Sequence, residues 1–570
     1  MSKFTSIDYF IFIFYFIVVS GYGIYIYRKK KKAVSATHDF FLAEGSLTWW
    51  AIGASLIASN ISAEQFIGMS GQGYSIGIAV AAYEWIAAIA LIIVAVWFIP
   101  VYLKNKIFTM PQFLKTRYNE TVALIMAIFW LFLYVFVNLT SILYLGALAI
   151  NNLLGGSVDQ FHLIIILLSL FAVFITLGGM KVIGFTDVIQ VSVLIIGGLA
   201  TTYIALTVVS KAFGFGENAL AGFNQLIKSA PDHFHMIFSK PTAATGQHQV
   251  DNYLTIPGLL SYVAGIWIIN LNYWGCNQYI TQRALGADLQ TARKGILFAG
   301  FLKLLMPIIV MLPGIAAYVL HQKGMVQAEM LVGSKDGQPV SDNAYSAILG
   351  YLPNGLIGLS LAALTAAIVA SLAGKANSIS TIFTLDVYKK YIKRDAEEKN
   401  MVIVGRITIL VALIISIVFT WSDTLGIGGA GGFTFIQKYT GFISPGVFAM
   451  FILGMFWKRT TGAAAVVGVI TGFGMSVLFN EFAPHLFGNE TILYTAYKNA
   501  AGVYEIPFHI CMGLAFMFTM IVMILISLGG PKVNPKAFVL DKSMFKVSPG
   551  VLTMIVVTLL IISLLYVRFW

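Results

Sequence analysis

The chain has 570 residues, of which 58% are hydrophobic and only 11% charged, against roughly 25% charged residues in soluble domains; with a mean hydropathy of +0.85, an ordinary water-soluble globule is excluded. The formal net charge of +12 lies in short basic clusters between apolar runs, the distribution that membrane topology produces, so it gives no reason to invoke nucleic acid. The two cysteines, Cys276 and Cys511, fall inside apolar runs, which argues for small buried hydrophobes and against a disulfide framework.

Apolar runs of about 20 residues, each long enough to cross ~30 Å of hydrocarbon, recur along the whole chain. In chain order the expected helical runs, about fourteen, are 6–28, 47–72, 77–103, 121–152, 161–178, 183–209, 256–284, 294–321, 345–391, 401–421, 431–456, 460–480, 505–528 and 548–569. The first is too long for a signal peptide and is followed by the basic cluster Arg28, Lys29, Lys30, Lys31 and Lys32, so it is expected to stay as a helix with its N-terminus outside. With that orientation the loops that become cytoplasmic collect most of the basic residues, among them Lys104, Lys106, Lys115, Arg117, Lys181, Arg283, Arg293 and Lys294. The external loops hold few, and the asymmetry predicts that both termini lie outside. Segments 210–255 and 321–344 are polar without a strong period and read as loops. No stretch suits a separate soluble domain.

Two runs carry polar interruptions, Asn60 to Ile67 (NISAEQFI) and Asn272 to Ile280 (NYWGCNQYI), and paired interruptions of this kind are what an inverted repeat leaves in sequence. Around the first, Ser59, Asn60, Ser62, Glu64 and Gln65 stand in a run otherwise able to span. Unwound backbone at that depth is tolerated where it is buried or lines a cavity, and its freed carbonyls can hold a cation or a solute; polar glue between packed helices is the plainer alternative. Glu84 and Lys303 lie deep in apolar runs, where a charge costs a few kcal/mol unless paired or solvated. They are candidates for a functional site, with a structural ion pair as the alternative. Asn270, Tyr273 and Gln437 add two amides and an aromatic ring. Amides and charged groups beside an aromatic platform suit a sugar, a ring of neutral hydroxyls with an apolar face. No nucleophile paired with a base, zinc motif or phosphate-cradling loop is apparent, so an enzyme is not expected.

The segments IASNISAEQFIGMSGQGYSIG, AAYEW, FVNLTSILYLG, FTDVIQ, NQYITQR, FLKLL, NSISTIFTLDVYKKY and YTGFISPG, in that order, identify a resemblance to the sodium/solute symporters, most closely to their bacterial galactose-transporting members. It runs from the first helix to at least the twelfth. The resemblance implies an all-α membrane protein with a LeuT-like core of two inverted five-helix repeats, about 47–209 and 256–456. A leading helix (1–33) precedes the core and three trailing helices (457–570) follow it. It implies solute ligands at Gln65, Glu84, Asn270, Lys303 and Gln437, an inner gate at Tyr273 and an outer gate at Met69, Tyr83 and Phe433. A family serine that contacts sugar falls on Ala87. The implied sodium ligands are carbonyls of Ala58, Ile61 and Ala367 and two adjacent hydroxyls, but those hydroxyl positions read Ala370 and Ser371. Losing one oxygen of about five weakens a cage for a hard cation. At i+4 from Ser371, on the same helix face, stands Lys375. Its ammonium could replace sodium, or it could snorkel or pair with a carboxylate such as Asp187, which matches a family carboxylate on the cytoplasmic ion path.

The expectation is therefore sodium-coupled symport of a monosaccharide-like solute of the galactose or glucose type, by alternating access across the bacterial inner membrane, with sodium as coupling ion and no other cofactor. The alternatives are a sodium-independent or proton-coupled sugar transporter in which Lys375 replaces the ion, and a sugar-binding membrane sensor.

Overall fold

The structure, a computed structural model, describes residues 5–28, 47–154, 158–332, 334, 337–424, 432–487 and 494–570. Among them 13 helices are long and apolar enough to cross a membrane. The expected run 47–72 is present in pieces, Trp49–Asn60, Glu64–Met69 and Ser70–Ser75. The basic cluster 29–32, which anchored the orientation of the first helix, lies outside the described residues, as do Lys3 and Lys335.

The chain forms two compact units, each assembled from three stretches. One comprises Met1–Ile78, Ala127–Phe234 and Gln282–Phe435; the other comprises Ala79–Met126, His235–Thr281 and Ile436–Trp570. In the first unit the centre is the Leu356–Thr381 helix, against which Met180–Ala212, Val158–Thr176, Ser6–Arg28 and Trp49–Asn60 all pack. The most apolar stretch of its span is 89% buried, against 22% for Ser6–Arg28, which separates a helix enclosed by protein from one with a wide face left for lipid. Small residues make that central position possible, because in a bilayer helices gain contact by close backbone approach. At Gly374 an added Cβ would fall 2.5 Å from Arg283 Nη2 and 2.8 Å from Ser59 Oγ. The leading helix closes the start of this central helix: Asp8 Oδ1 accepts the N–H groups of Gly355 at 2.7 Å and Gly358 at 2.9 Å, donors that a helix N-terminus otherwise leaves unmet.

In the second unit Ala82–Ile93 packs on Ile266–Cys276, which packs on Ser444–Phe456, and Gly462–Val477 packs on both Ser444–Phe456 and Phe508–Leu528. Pro549–Phe569 is only 17% buried in its most apolar stretch. Arg117, expected as a loop cation, is wholly buried. Its guanidinium donates to the carbonyls of Gly454 (2.6 Å), Trp457 (3.0 Å) and Thr460 (3.0 Å), so it satisfies the C-terminal end of Ser444–Phe456.

Several expectations are corrected. Segment 210–255 is not loop throughout: it holds the helices Ala219–Ser229 and Gln247–Thr255. The first starts at Asn218, whose side chain accepts from Ala221 N at 3.0 Å, and it buries only Gly222 and Leu226, too narrow an apolar stripe to stand out as a period. The expected run 345–391 is split into Ala344–Leu349 and a helix that begins at Leu356. Arg283 and Arg293, counted as cytoplasmic loop residues, are also buried. Cys276 and Cys511 are free and buried, as expected.

Candidate functional site

Both polar interruptions are helix breaks. In the first unit Trp49–Asn60 ends at Ile61, whose backbone is extended (φ −78°, ψ 120°). The hydrogen bonds show why. The Ser62 N–H turns to Gln65 Oε1 (2.9 Å), the Glu64 N–H to Ser62 Oγ (3.2 Å) and the Gln65 N–H to the Ser62 carbonyl (3.1 Å). In an unbroken helix these three donors would close on the carbonyls of Ala58, Asn60 and Ile61. The short polar side chains at 62 and 65 thus compete with the helix for its own donors and release those carbonyls at mid-run.

The Leu356–Thr381 helix brings Ser371 to this break. Its hydroxyl donates to the Ser59 carbonyl at 3.0 Å, and Lys375 Nζ lies 3.4 Å from Ser371 Oγ. Ala58, Ile61, Ala367, Ala370 and Ser371 are all buried. Carbonyl and hydroxyl oxygens are the donors a hard monovalent cation takes, and the Ser371 hydroxyl is joined to the broken helix through the Ser59 carbonyl. The ammonium of Lys375 lies beside Ser371, within electrostatic reach of the Glu64 carboxylate.

Asp187 forms a neighbouring buried cluster in the same unit. Ser55 Oγ donates to Asp187 Oδ2, Arg283 Nε donates to Ser55 Oγ at 2.7 Å, and Arg283 Nη2 lies 3.9 Å from Asp187 Oδ2. The guanidinium reaches in from the Gln278–Leu285 helix.

Of the candidate solute ligands, Gln65 and Lys303 belong to the first unit and Glu84, Asn270 and Gln437 to the second. Gln65 Oε1 is committed to Ser62, accepting from both its N–H and its hydroxyl (3.2 Å), so what the side chain can offer a solute is its amide N–H₂. Lys303 ends the Leu289–Lys303 helix, is buried, and donates to Asn60 Oδ1. In the second unit Glu84 occupies the first turn of Ala82–Ile93, where the helix dipole favours a carboxylate. Asn270 lies on Ile266–Cys276 and donates its Nδ2 to the Ile266 carbonyl at 2.9 Å, leaving its carbonyl oxygen as the group to accept. That helix stops at Asn277 (φ −92°, ψ 132°), the second break. The Gly275 carbonyl just before it is taken by the Tyr102 hydroxyl at 2.6 Å. Tyr273 and Gln437 are half-buried.

Of the candidate gate residues, Met69 and Phe433 are buried in the first unit, and Phe433 Cβ lies 2.6 Å from where a Cβ on Gly68, the neighbour of Met69 in the chain, would stand. Tyr83, in the second unit, is bonded to His509 Nε2 at 2.9 Å. Sequence reasoning missed Arg283 and His509 as site residues, and named Glu64 only among the polar residues of the first interruption. Glu64 and His509 are ionisable residues in or beside apolar runs, the same signal that singled out Glu84 and Lys303; Arg283 sat too near a run's end to be distinguished from a loop cation.

The sequence pattern of the sodium:solute symporter family matches residues 40–472. The chain is 41% identical, over 99% of its length and 98% of the relative's, to a sodium/glucose cotransporter of Vibrio parahaemolyticus. It is 31% identical to sodium/glucose cotransporter 1 of Ovis aries over 92% of this chain and 79% of that protein. With human sodium/myo-inositol cotransporter 2 it shares 33% identity over 81% of this chain and 68% of that one. The solved structure of a Na+-coupled sialic acid symporter, substrate-bound and outward-open, superposes with a TM-score of 0.74 at 20% identity, covering 93% of this chain and 100% of that one; the fold is that of LeuT-like symporters, as the resemblance implied.

Proposed function

The chain belongs to the sodium:solute symporter family, a family of transporters, and on that premise we propose that it carries a monosaccharide-like solute of the galactose or glucose type inward with sodium, by alternating access across the bacterial inner membrane with both termini outside. The domain plan that goes with this is a leading helix (1–33), an inverted-repeat core (47–456) and three trailing helices (457–570). The single observation that carries the reading is the opened backbone at Ala58 and Ile61 with Ser371 brought against it.

Sodium is taken by the carbonyls of Ala58, Ile61 and Ala367 and the hydroxyl of Ser371, with Asp187 on its path to the cytoplasm. Ala370 contributes no hydroxyl, so the cage has one oxygen fewer than the family pattern. The sodium coupling named for the relatives argues against Lys375 replacing the ion outright. With its ammonium 3.4 Å from Ser371 Oγ, Lys375 instead weakens sodium binding by competing for that oxygen, and Glu64 draws it aside.

The solute is held by Gln65, Glu84, Asn270, Lys303 and Gln437. Sugar hydroxyls both donate and accept, and the internal bonds of Gln65, Lys303 and Asn270 sort their roles: Gln65 and Lys303 donate and Asn270 accepts, as does the Glu84 carboxylate. Tyr273 closes the inner side; Met69, Tyr83 and Phe433 close the outer. The names of the relatives, which concern glucose and a cyclic polyol, support a polyhydroxyl solute.

The test is uptake of labelled glucose and galactose into proteoliposomes with sodium and proton gradients imposed separately. Sodium-driven accumulation of either sugar is the expected result. Flux of neither sugar under any gradient overturns the solute class, and flux indifferent to sodium overturns the coupling.

A further inference from the structure

The trailing helix Phe508–Leu528 lies beyond the ten-helix core, yet its second residue, His509, is wholly buried. One ring nitrogen, Nε2, is 2.9 Å from the Tyr83 hydroxyl and the other, Nδ1, is 3.2 Å from Ser261 Oγ. Tyr83 directly precedes Glu84 in the first turn of Ala82–Ile93. Ser261 opens the π-helical turn Ser261–Gly265, which runs straight into the Ile266–Cys276 helix of Asn270 and Tyr273. All three residues belong to the second unit.

Buried polar groups need partners, and an imidazole with both nitrogens bonded cannot rotate without breaking one of them. Both partners are hydroxyls, which donate or accept as required, so either neutral tautomer satisfies the chain Tyr83–His509–Ser261. The backbone is built for this approach. A Cβ on Gly265 would fall 2.6 Å from the His509 carbonyl oxygen and 2.7 Å from its Cα, so only glycine lets the wide turn lie against the histidine; such π turns recur at functional sites.

We propose that His509 is a positioning residue of the transport cycle: it fixes the direction of the Tyr83 phenol and ties the Tyr83–Glu84 turn to the helix that carries Asn270, so that a helix outside the core sets the geometry of the outer gate. This rests on the reading of Tyr83 as a gate. A phenol freed from His509 swings more widely, the bound solute escapes outward faster, and apparent affinity falls while turnover is preserved.

The experiment measures KM and Vmax per reconstituted transporter for sodium-driven uptake of labelled glucose, with melting temperature alongside. His509→Leu is expected to raise KM about five-fold, the size of one lost hydrogen bond, with Vmax changed by less than about two-fold. His509→Gln, whose amide reaches the Nε2 position, recovers most of that rise. Tyr83→Phe raises KM as well, and the double variant is no worse than the worse single one, because the same bond is lost only once. Ser261→Ala, a milder change that keeps the imidazole, raises KM about two-fold and serves where His509→Leu does not assemble. The proposal is overturned if His509→Leu and Ser261→Ala lower yield or melting temperature and leave KM unmoved while Tyr83→Phe raises it, or if the effects of Tyr83→Phe and His509→Leu multiply. An unchanged KM in Tyr83→Phe removes the gate reading itself, and this proposal with it.

Discussion

Gln65 is pinned at one end only. Its oxygen accepts the Ser62 N–H at 2.9 Å, so the helix break and the solute donor depend on opposite ends of one amide. Gln65→Glu keeps an oxygen for Ser62 and removes the N–H₂; it is expected to raise KM for glucose about ten-fold, in line with an unmade bond at a buried polar site, while leaving half-saturating sodium within about two-fold. Lys375 makes the converse prediction. A cation at the edge of a cation site is unfavourable by about 1 kcal/mol or more even when screened, so Lys375→Met is expected to lower half-saturating sodium about ten-fold in sodium titrations of uptake, and Ala370→Ser to lower it further by restoring an oxygen. An unchanged sodium titration in both variants would remove Lys375 and Ala370 from the ion site. The departure at 370 and 375 was legible in the sequence; the burial of Arg283 beside Asp187 was not. Nothing in the spacing of Asp187 and Arg283, nearly a hundred positions apart in the chain, marks them as neighbours.

The broken helix and the central helix carry the site together, and their close approach depends on Gly374, where a Cβ would meet Arg283 and Ser59 inside 3 Å. Gly374→Ala obliges the Arg283 guanidinium and the Ser59 hydroxyl to shift. It is expected to destabilise the protein by about 1–3 kcal/mol and to raise half-saturating sodium, measured by thermal melting and sodium titration. Asp8→Ala removes two bonds at the start of the same central helix, at 2.7 and 2.9 Å. It is expected to cost about 1–2 kcal/mol of stability with KM unchanged, so it separates support of the element from contact with solute. The two breaks were legible as polar residues interrupting apolar runs, because a helix that spends its donors on side chains needs short polar residues to do so. The capping by Arg117 and Asp8 was not legible, since both join segments more than 300 positions apart in the chain. The helices Ala219–Ser229 and Gln247–Thr255 were missed because a short helix that buries two residues leaves almost no period.

For the molecule as a whole, length and hydropathy already dictated a bundle of spanning helices, and the order of its motifs pointed to the family that the relatives bear out. The positive-inside argument loses Arg117, Arg283 and Arg293, which are buried and not in loops, and rests on the remaining lysines and arginines. Orientation is checked by accessibility of single cysteines introduced near Ser6 and Arg568: impermeant reagent added outside intact cells is expected to label both. The account as a whole stands on one coupling. A single charge falling through 100 mV is worth about 2.3 kcal/mol, enough for roughly a 50-fold gradient of a neutral solute. In proteoliposomes with an inward sodium gradient and an inside-negative potential, labelled glucose or galactose is predicted to accumulate well above its external concentration and to leave again when the gradient is collapsed. Equal final levels with sodium replaced by choline would contradict it.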